Sequence, residues 1–181
     1  MKKALVAMLV FFTLTITQAF AYNLKSFTSD AKIMAAMQLL EQSGEYDVFA
    51  NLQKNAVKVK FYHLSMSNVY AANAYDEFGR RVILINSIYK DAPVEQIACL
   101  IAHESFHTAR KATLEEETIE TSKEAACWAK LKRNGVSYPE NKLTKRLDKI
   151  AGLHVASVRD GNNYIGDKIA SSSFYRAQFN L

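Results

Sequence analysis

Two histidines and a glutamate form an H-E-x-x-H pattern at positions 103–107, inside a long apolar run. Residues four apart lie one above the other on a helix, so His103 and His107 would present two imidazoles to one point, with Glu104 beside them. Zinc in catalytic sites binds three protein ligands and leaves the fourth position to water. Glu104 could then take a proton from that water. The pattern predicts a zinc site with a general base; two histidines packed in a core are the alternative.

A second helix is predicted to start at Thr113, because Glu116 three residues later completes a capping box, and to run to about Arg133. The connection between the two helices is short, so they should form an antiparallel hairpin. Paired residues in such a hairpin have a constant index sum. Three pairs give sums of 226, 227 and 227, and thus agree on one register: Cys99 with Cys127, His103 with Glu124, and His107 with Glu120.

The third metal ligand is expected among the carboxylates of this second helix. The candidates are Glu115, Glu116, Glu117, Glu120 and Glu124. The first two lie too close to the helix start to reach back, and Glu117 is marginal. We expect Glu120 to be the ligand and Glu124 to orient His103 as a hydrogen-bond acceptor. The reverse assignment of these two glutamates stays open.

The remaining elements must position this hairpin. Proline precedes the apolar run at position 93, and the first helix of the hairpin is expected to end near Ala109 or Arg110. The pattern elsewhere predicts helices at 29–44, 45–53 and 140–158, strands at 57–63, 71–75 and 81–86 with a turn at 76–79, and a short helix or irregular tail at the end. These elements indicate a single α+β domain with a small sheet.

Positions 71–133 resemble the catalytic core of the zincin metallopeptidases, most closely a small gluzincin. The resemblance rests on an edge strand, a hairpin, the H-E-x-x-H helix and a following helix with a glutamate. It implies Zn²⁺-dependent hydrolysis of peptide bonds, with His103 and His107 as ligands, Glu104 as general base and Glu120 as the downstream glutamate. Arg110 and Thr113 stand where a metzincin would need glycine and histidine.

Gluzincins often add a tyrosine or histidine that stabilises the oxyanion. His154 and Tyr164 are the candidates here, although a lone histidine or tyrosine is more often an ordinary packed residue.

The first 21 residues have the features of a secretory signal peptide: Lys2 and Lys3, an apolar segment, and an A-x-A site ending at Ala21. The mature protein, residues 22–181, is therefore expected to be periplasmic or secreted, without a stable membrane anchor. Cys99 and Cys127 could form an intramolecular disulfide in such an oxidising compartment.

Charge and composition suggest no partner beyond a substrate. Without Lys2 and Lys3 the formal net charge falls from +5 to +3, and no nucleic-acid motif is present. Basic residues concentrate between Lys130 and Arg159, including Arg146, and a solvated helix face explains them best.

Two functions of different class remain. The first is an exported zinc peptidase acting on peptides or envelope proteins, with peptidoglycan cross-links as a further candidate substrate. The second is a non-catalytic secreted zinc-binding or interaction module on the same fold. Glu104 favours the first, because a purely structural metal site has no use for a base beside an open coordination position.

Overall fold

An apolar strand, Arg81–Asn86, and an apolar helix, Val94–Phe106, are the two elements around which the chain folds. The computed structural model describes residues 22–66, 68–108, 112–133 and 135–179. Its elements are α1 (Ala31–Gln42), α2 (Tyr46–Lys54), β1 (Lys58–Tyr62), β2 (Ala71–Tyr75), β3 (Arg81–Asn86), α3 (Val94–Phe106), α4 (Leu114–Leu131), α5 (Lys142–Asp160), α6 (Tyr164–Ala170) and α7 (Ser173–Phe179). Two short 3₁₀ turns occur at Leu24–Ser26 and Ser87–Tyr89. The predicted α+β class and single domain are confirmed, whereas the predicted signal peptide lies outside the described residues.

The three strands form one sheet in the order β1-β3-β2. The central strand β3 is an almost continuous apolar run, as expected for a strand covered on both faces. It pairs parallel to β1, with Val59 opposite Ile83, and antiparallel to β2, with Asn73 opposite Ile83. Strand β2 is therefore an edge of the described sheet.

Side-chain hydrogen bonds and a glycine stabilise the turn between β2 and β3. Asp76 Oδ1 accepts hydrogen bonds from the backbone N–H groups of Phe78, at 3.0 Å, and Arg80, at 2.8 Å. Gly79 takes a φ of +73°, a conformation that residues with a Cβ rarely adopt. The predicted strands at 71–75 and 81–86, and the turn between them, are confirmed.

Helix α3 is the centre of the molecule. Every residue from Glu95 to Ser105 is buried, since α1 and α2 pack on the helix, α4 lies along it, and β3 and β2 also contact it. A helix that is apolar around nearly its whole circumference needs such complete cover. The two N-terminal helices thus cover the half of the molecule that carries the H-E-x-x-H pattern.

Helix α3 ends at Phe106, so the expected end near Ala109 or Arg110 is wrong. His107 is the C-cap, with φ −57° and ψ 120°. The backbone N–H of Thr108 donates to Glu116 Oε1 at 2.6 Å instead of continuing the helical ladder. This hydrogen bond to the first turn of α4 therefore helps to end α3 at Phe106.

The observed caps of α1, α4 and α5 lie within two residues of the predicted helix ends. Thr113 caps α4 as predicted, because its Oγ1 accepts from the N–H of Glu116 at 3.1 Å. Asp30, rather than Ser29, caps α1. Asn141 caps α5, and Gly161 ends that helix in the left-handed conformation.

The C-terminal helices cover α4. Helix α5 packs along α4, and α6 contacts both helices. Trp128 on α4 is fully buried, and its Nε1–H donates to Asp148 Oδ1 on α5 at 2.8 Å. Trp128 therefore packs α4 against α5. No helix among the described residues is long and apolar enough to cross a bilayer.

We expect Leu147→Ala to lower the free energy of unfolding by about 2–5 kcal/mol, because Leu147 is fully buried on α5 and its removal leaves a cavity. Urea denaturation followed by the fluorescence of Trp128, the only tryptophan, measures this change. The control is Lys149→Ala on the exposed side of α5, which should stay within about 0.5 kcal/mol. Equal effects of the two variants would contradict this packing.

Candidate metal site

The three pairs predicted to face one another across the helical hairpin are in contact. The Sγ atoms of Cys99 and Cys127 are 3.3 Å apart. His103 Nδ1 lies 3.1 Å from Glu124 Oε2, and His107 Nδ1 lies 2.9 Å from Glu120 Oε2. The register of α3 against α4 is therefore the predicted one, although His107 stands just beyond the last residue of α3.

The two cysteines are buried free thiols in this structure. Their separation of 3.3 Å exceeds the S–S bond length of about 2.05 Å. They lie one helical turn from the histidine pair, at the core end of the hairpin.

Two histidines and two glutamates come together as a group that could hold a metal ion. His103, His107, Glu117 and Glu120 each offer one ligand atom, and these atoms all lie within 4.8 Å of one another. Glu117 and Glu120 are buried, as is His103, while His107 is partly exposed. Imidazole nitrogens and carboxylate oxygens are ligands that zinc accepts.

The two histidines present their ring nitrogens in the same way. In each, Nδ1 faces a carboxylate of α4, Glu124 for His103 and Glu120 for His107. Nε2 is therefore the nitrogen left to bind a ligand. His107 Nε2 lies 4.0 Å from Glu117 Oε1 and 3.8 Å from Glu104 Oε2.

Glu124 lies outside this group and has a different partner. Its Oε1 accepts a charged hydrogen bond from Nη1 of Arg146 on α5, while its Oε2 faces His103. Arg146 thus points inward, with only 24% of its side chain exposed, so a solvated helix face does not account for this residue. Its guanidinium also lies over the ring of Tyr70.

Several buried oxygens of the site lack a hydrogen-bond partner in the described part of the chain. They are Glu117 Oε2, both oxygens of Glu120, and Glu124 Oε2. The contacts of Glu120 and Glu124 with the imidazoles have hydrogen-bond lengths but are not aligned as hydrogen bonds. Buried polar atoms are normally satisfied. A cation bound by Glu117 and Glu120 would satisfy oxygens of those two carboxylates.

Burial and charge strongly perturb the pair formed by His103 and Glu124. Burial alone would lower the pKa of His103, but contact with the Glu124 carboxylate outweighs it and raises the pKa to about 9. Burial alone would raise the pKa of Glu124, but the charge of Arg146 and contact with His103 lower it to about 2. Without a metal ion, therefore, a protonated His103 faces an ionised Glu124 at neutral pH.

The group that could hold a metal ion opens into a cleft of about 420 Å³. Residues from β2, α3, α4, α5 and α7 line it, among them Asn73, Glu104, Glu117, Arg146 and Tyr175. Burial and the negative charge of Glu117 raise the pKa of Tyr175, so its hydroxyl remains protonated at neutral pH. A hydroxyl donor therefore stands at the wall of the cleft.

The two residues considered for oxyanion stabilisation lie elsewhere. His154 and Tyr164 do not line the cleft, and the Tyr164 hydroxyl is within 3.2 Å of both Asp160 and Asn162 at the end of α5. Tyr175 is the tyrosine that the fold brings to the site instead. Nothing in the local sequence around Tyr175 indicates this placement, because α7 reaches the cleft only after two intervening helices.

The sequence does contain a signal that Glu117 is a candidate metal ligand. Positions 117, 120 and 124 are spaced by three and four, so all three carboxylates share one face of α4. Arg146 and Asn73 carry no comparable signal, since each comes from a different element.

Comparison of the chain with protein-family models, with curated proteins and with solved structures finds no match.

We expect metal binding to release a proton at pH 7, because a ligating His103 must be neutral and its pKa in the metal-free protein is about 9. The apparent affinity for Zn²⁺ should therefore rise by up to about tenfold per pH unit up to that pH. Calorimetric titration in two buffers of different ionisation enthalpy counts the protons released.

The control is Glu124→Gln, which removes the carboxylate that raises the pKa of His103, so proton release at pH 7 should fall. Equal release from both proteins would contradict the role of Glu124. The His103–Glu124 contact also has a consequence for stability: it contributes fully between about pH 4.5 and 6.5. Its contribution is lost as pH rises through about 9, where His103 loses its proton, and as pH falls through about 2, where Glu124 gains one.

Proposed function

We propose that this protein is a zinc-dependent peptidase in which Glu104 acts as the general base. One observation carries the proposal: two imidazoles and two buried carboxylates converge in an open cleft, and the glutamate of the H-E-x-x-H pattern lies beside them. Zinc suits this set of ligands, because catalytic zinc sites combine histidine with carboxylate and leave one position free. Such a site needs an open cleft beside the metal ligands, and His103, His107 and Glu117 line one.

For the protein ligands we propose His103 Nε2, His107 Nε2 and a carboxylate oxygen of Glu117. Glu120 and Glu124 would then each hold the Nδ1 side of one histidine, the arrangement that orients most ligating imidazoles. Glu120, the ligand expected from the sequence, belongs to the same group and is the alternative third ligand. In both arrangements Glu124 orients His103, and Arg146 neutralises Glu124.

The side chains around the cleft have distinct tasks in peptide hydrolysis. A zinc ion held by these ligands would supply a water molecule of lowered pKa and polarise the substrate carbonyl. Glu104 would accept a proton from the attacking water and deliver it to the leaving amine. Tyr175, which keeps its proton at neutral pH and lines the cleft, would donate a hydrogen bond to the developing oxyanion.

The edge strand favours an extended peptide as substrate. Residues Ala71, Ala72 and Asn73 of β2 line the cleft, and within the described part of the chain β2 pairs only with β3. Its outer edge can therefore add a further strand through backbone hydrogen bonds. The two alanines present little side chain, so recognition would depend mainly on the backbone of the substrate.

We further propose that the protein is exported. Support comes from the signal-like residues 1–21 and from the paired thiols of Cys99 and Cys127, which an oxidising compartment would convert to a disulfide with little movement. Such a bond would join α3 to α4 one turn below the metal ligands.

We expect Glu104→Gln to lower kcat by about 10²- to 10⁴-fold while the protein keeps one equivalent of zinc, because the amide cannot accept the proton. The measurement is cleavage of an unfolded protein and of peptidoglycan fragments, together with elemental analysis. Unchanged cleavage would refute the catalytic role of Glu104. Zinc binding without any cleavage by the wild-type protein would favour the non-catalytic binding module.

We expect Glu117→Gln to weaken zinc binding more than Glu120→Gln or Glu124→Gln, which should each cost about 10- to 100-fold as residues that support ligands. Competition with a chelator measures the affinities, and the visible spectrum of the cobalt-substituted protein reports a change of ligand directly. The matched control is Glu115→Gln, since Glu115 is exposed on the same helix. If Glu120→Gln alone changed the cobalt spectrum, Glu120 would be the third ligand.

A further inference from the structure

The carboxylate of Glu104 has a partner on the sheet. Asn73 Nδ2 on β2 donates to Glu104 Oε2 at 2.5 Å and to the backbone carbonyl of Glu104 at 3.0 Å. One side-chain amide therefore contacts both the functional group and the backbone of the same residue. Asn73 is also part of the cleft wall.

A buried arginine determines how this amide is oriented. Arg81 on β3 is 7% exposed, and its Nε–H donates to Asn73 Oδ1 at 2.6 Å. A guanidinium can only donate, so the oxygen of the Asn73 amide must face Arg81 and the NH₂ group must face Glu104. The NH₂ group of Asn73 therefore donates to Glu104 Oε2, and an ionised carboxylate oxygen is the acceptor that it needs.

Asn73 and Arg81 also donate hydrogen bonds to the backbone at the C-terminal end of α3. The last carbonyls of a helix have no helical donor, and the carbonyl of Glu104 lies in this final turn. Arg81 Nη2 donates to it, alongside Asn73. The positive charge of Arg81 also lies at the negative end of the helix dipole. Sheet and helix are thus joined at the residue that would carry the proton.

We propose that Asn73, held by Arg81, is a positioning residue for the reaction: it fixes the Glu104 carboxylate in the orientation in which Oε2 faces the metal-binding nitrogen of His107. This inference rests on the proposed peptidase function. Its geometric basis is that Glu104 Oε2, the oxygen bound by Asn73, is also the oxygen 3.8 Å from His107 Nε2. An unrestrained carboxylate would spend much of its time rotated away from the reacting water.

The kinetic test uses the zinc-loaded protein with Asn73→Ala and Asn73→Asp. We expect kcat to fall by about 10- to 100-fold, the scale that misplacement of a reacting group produces, with KM changed less than about threefold and zinc content unchanged. In Asn73→Asp, Arg81 keeps an acceptor while a carboxylate replaces the donor facing Glu104. The control Ala74→Ser changes the neighbouring β2 residue, whose side chain points to the opposite face of the sheet.

A second measurement does not depend on activity. In the zinc-loaded wild-type protein, NMR should show slow hydrogen exchange of the Asn73 side-chain amide, and Glu104→Ala should accelerate it. If the wild-type protein cleaves peptides but Asn73→Ala keeps the wild-type kcat, or if Glu104→Ala leaves the exchange unchanged, the positioning role is overturned. If the wild-type protein cleaves nothing while the exchange responds to Glu104→Ala, the peptidase function fails and the restraint of Glu104 by Asn73 stands.

Discussion

The burial of carboxylates around two imidazoles, between α3 and α4, is the constraint on which the rest of this structure depends. Glu117, Glu120 and Glu124 are almost completely removed from solvent, and several of their oxygens find no hydrogen-bond donor among the described residues. Burying ionised groups in this way is unfavourable unless positive charge compensates them. Protonated histidines can supply that charge in the metal-free protein, and a metal ion would supply it in the bound form.

Two arginines supply fixed positive charge from opposite sides. Arg146 reaches Glu124 from α5, and Arg81 reaches the end of α3 from β3. The sheet and the C-terminal helices therefore contribute to the electrostatics of the site as well as to its packing. Helix α3 ends in the histidines and Glu104, and β2, β3, α4 and α5 carry side chains that contact them or their partners.

The secondary structure followed closely from the local pattern. Strands β2 and β3 have their predicted bounds, and Thr113 caps α4 as expected, because alternating or continuous apolar residues and a capping box act locally. The end of α3 did not follow, since it depends on a hydrogen bond from Thr108 to Glu116 on the next helix. The prediction that Arg146 lies on a solvated helix face was also wrong, because a basic residue in a charged run carries no local sign of contact with a buried glutamate.

The sequence by itself determined the two histidines, Glu104 and the register that sets them against Glu120 and Glu124, because helical periodicity and a short connection leave one alignment. Only the tertiary structure decided that Nδ1 of each histidine faces a glutamate, which leaves Nε2 to bind a ligand. It brought Glu117 Oε1 to 4.0 Å from His107 Nε2. It also decided that Asn73 and Tyr175 join the site. These contacts link residues far apart along the chain, so they arise from the packing of β2 and α7 around the hairpin and leave no periodic trace in the sequence.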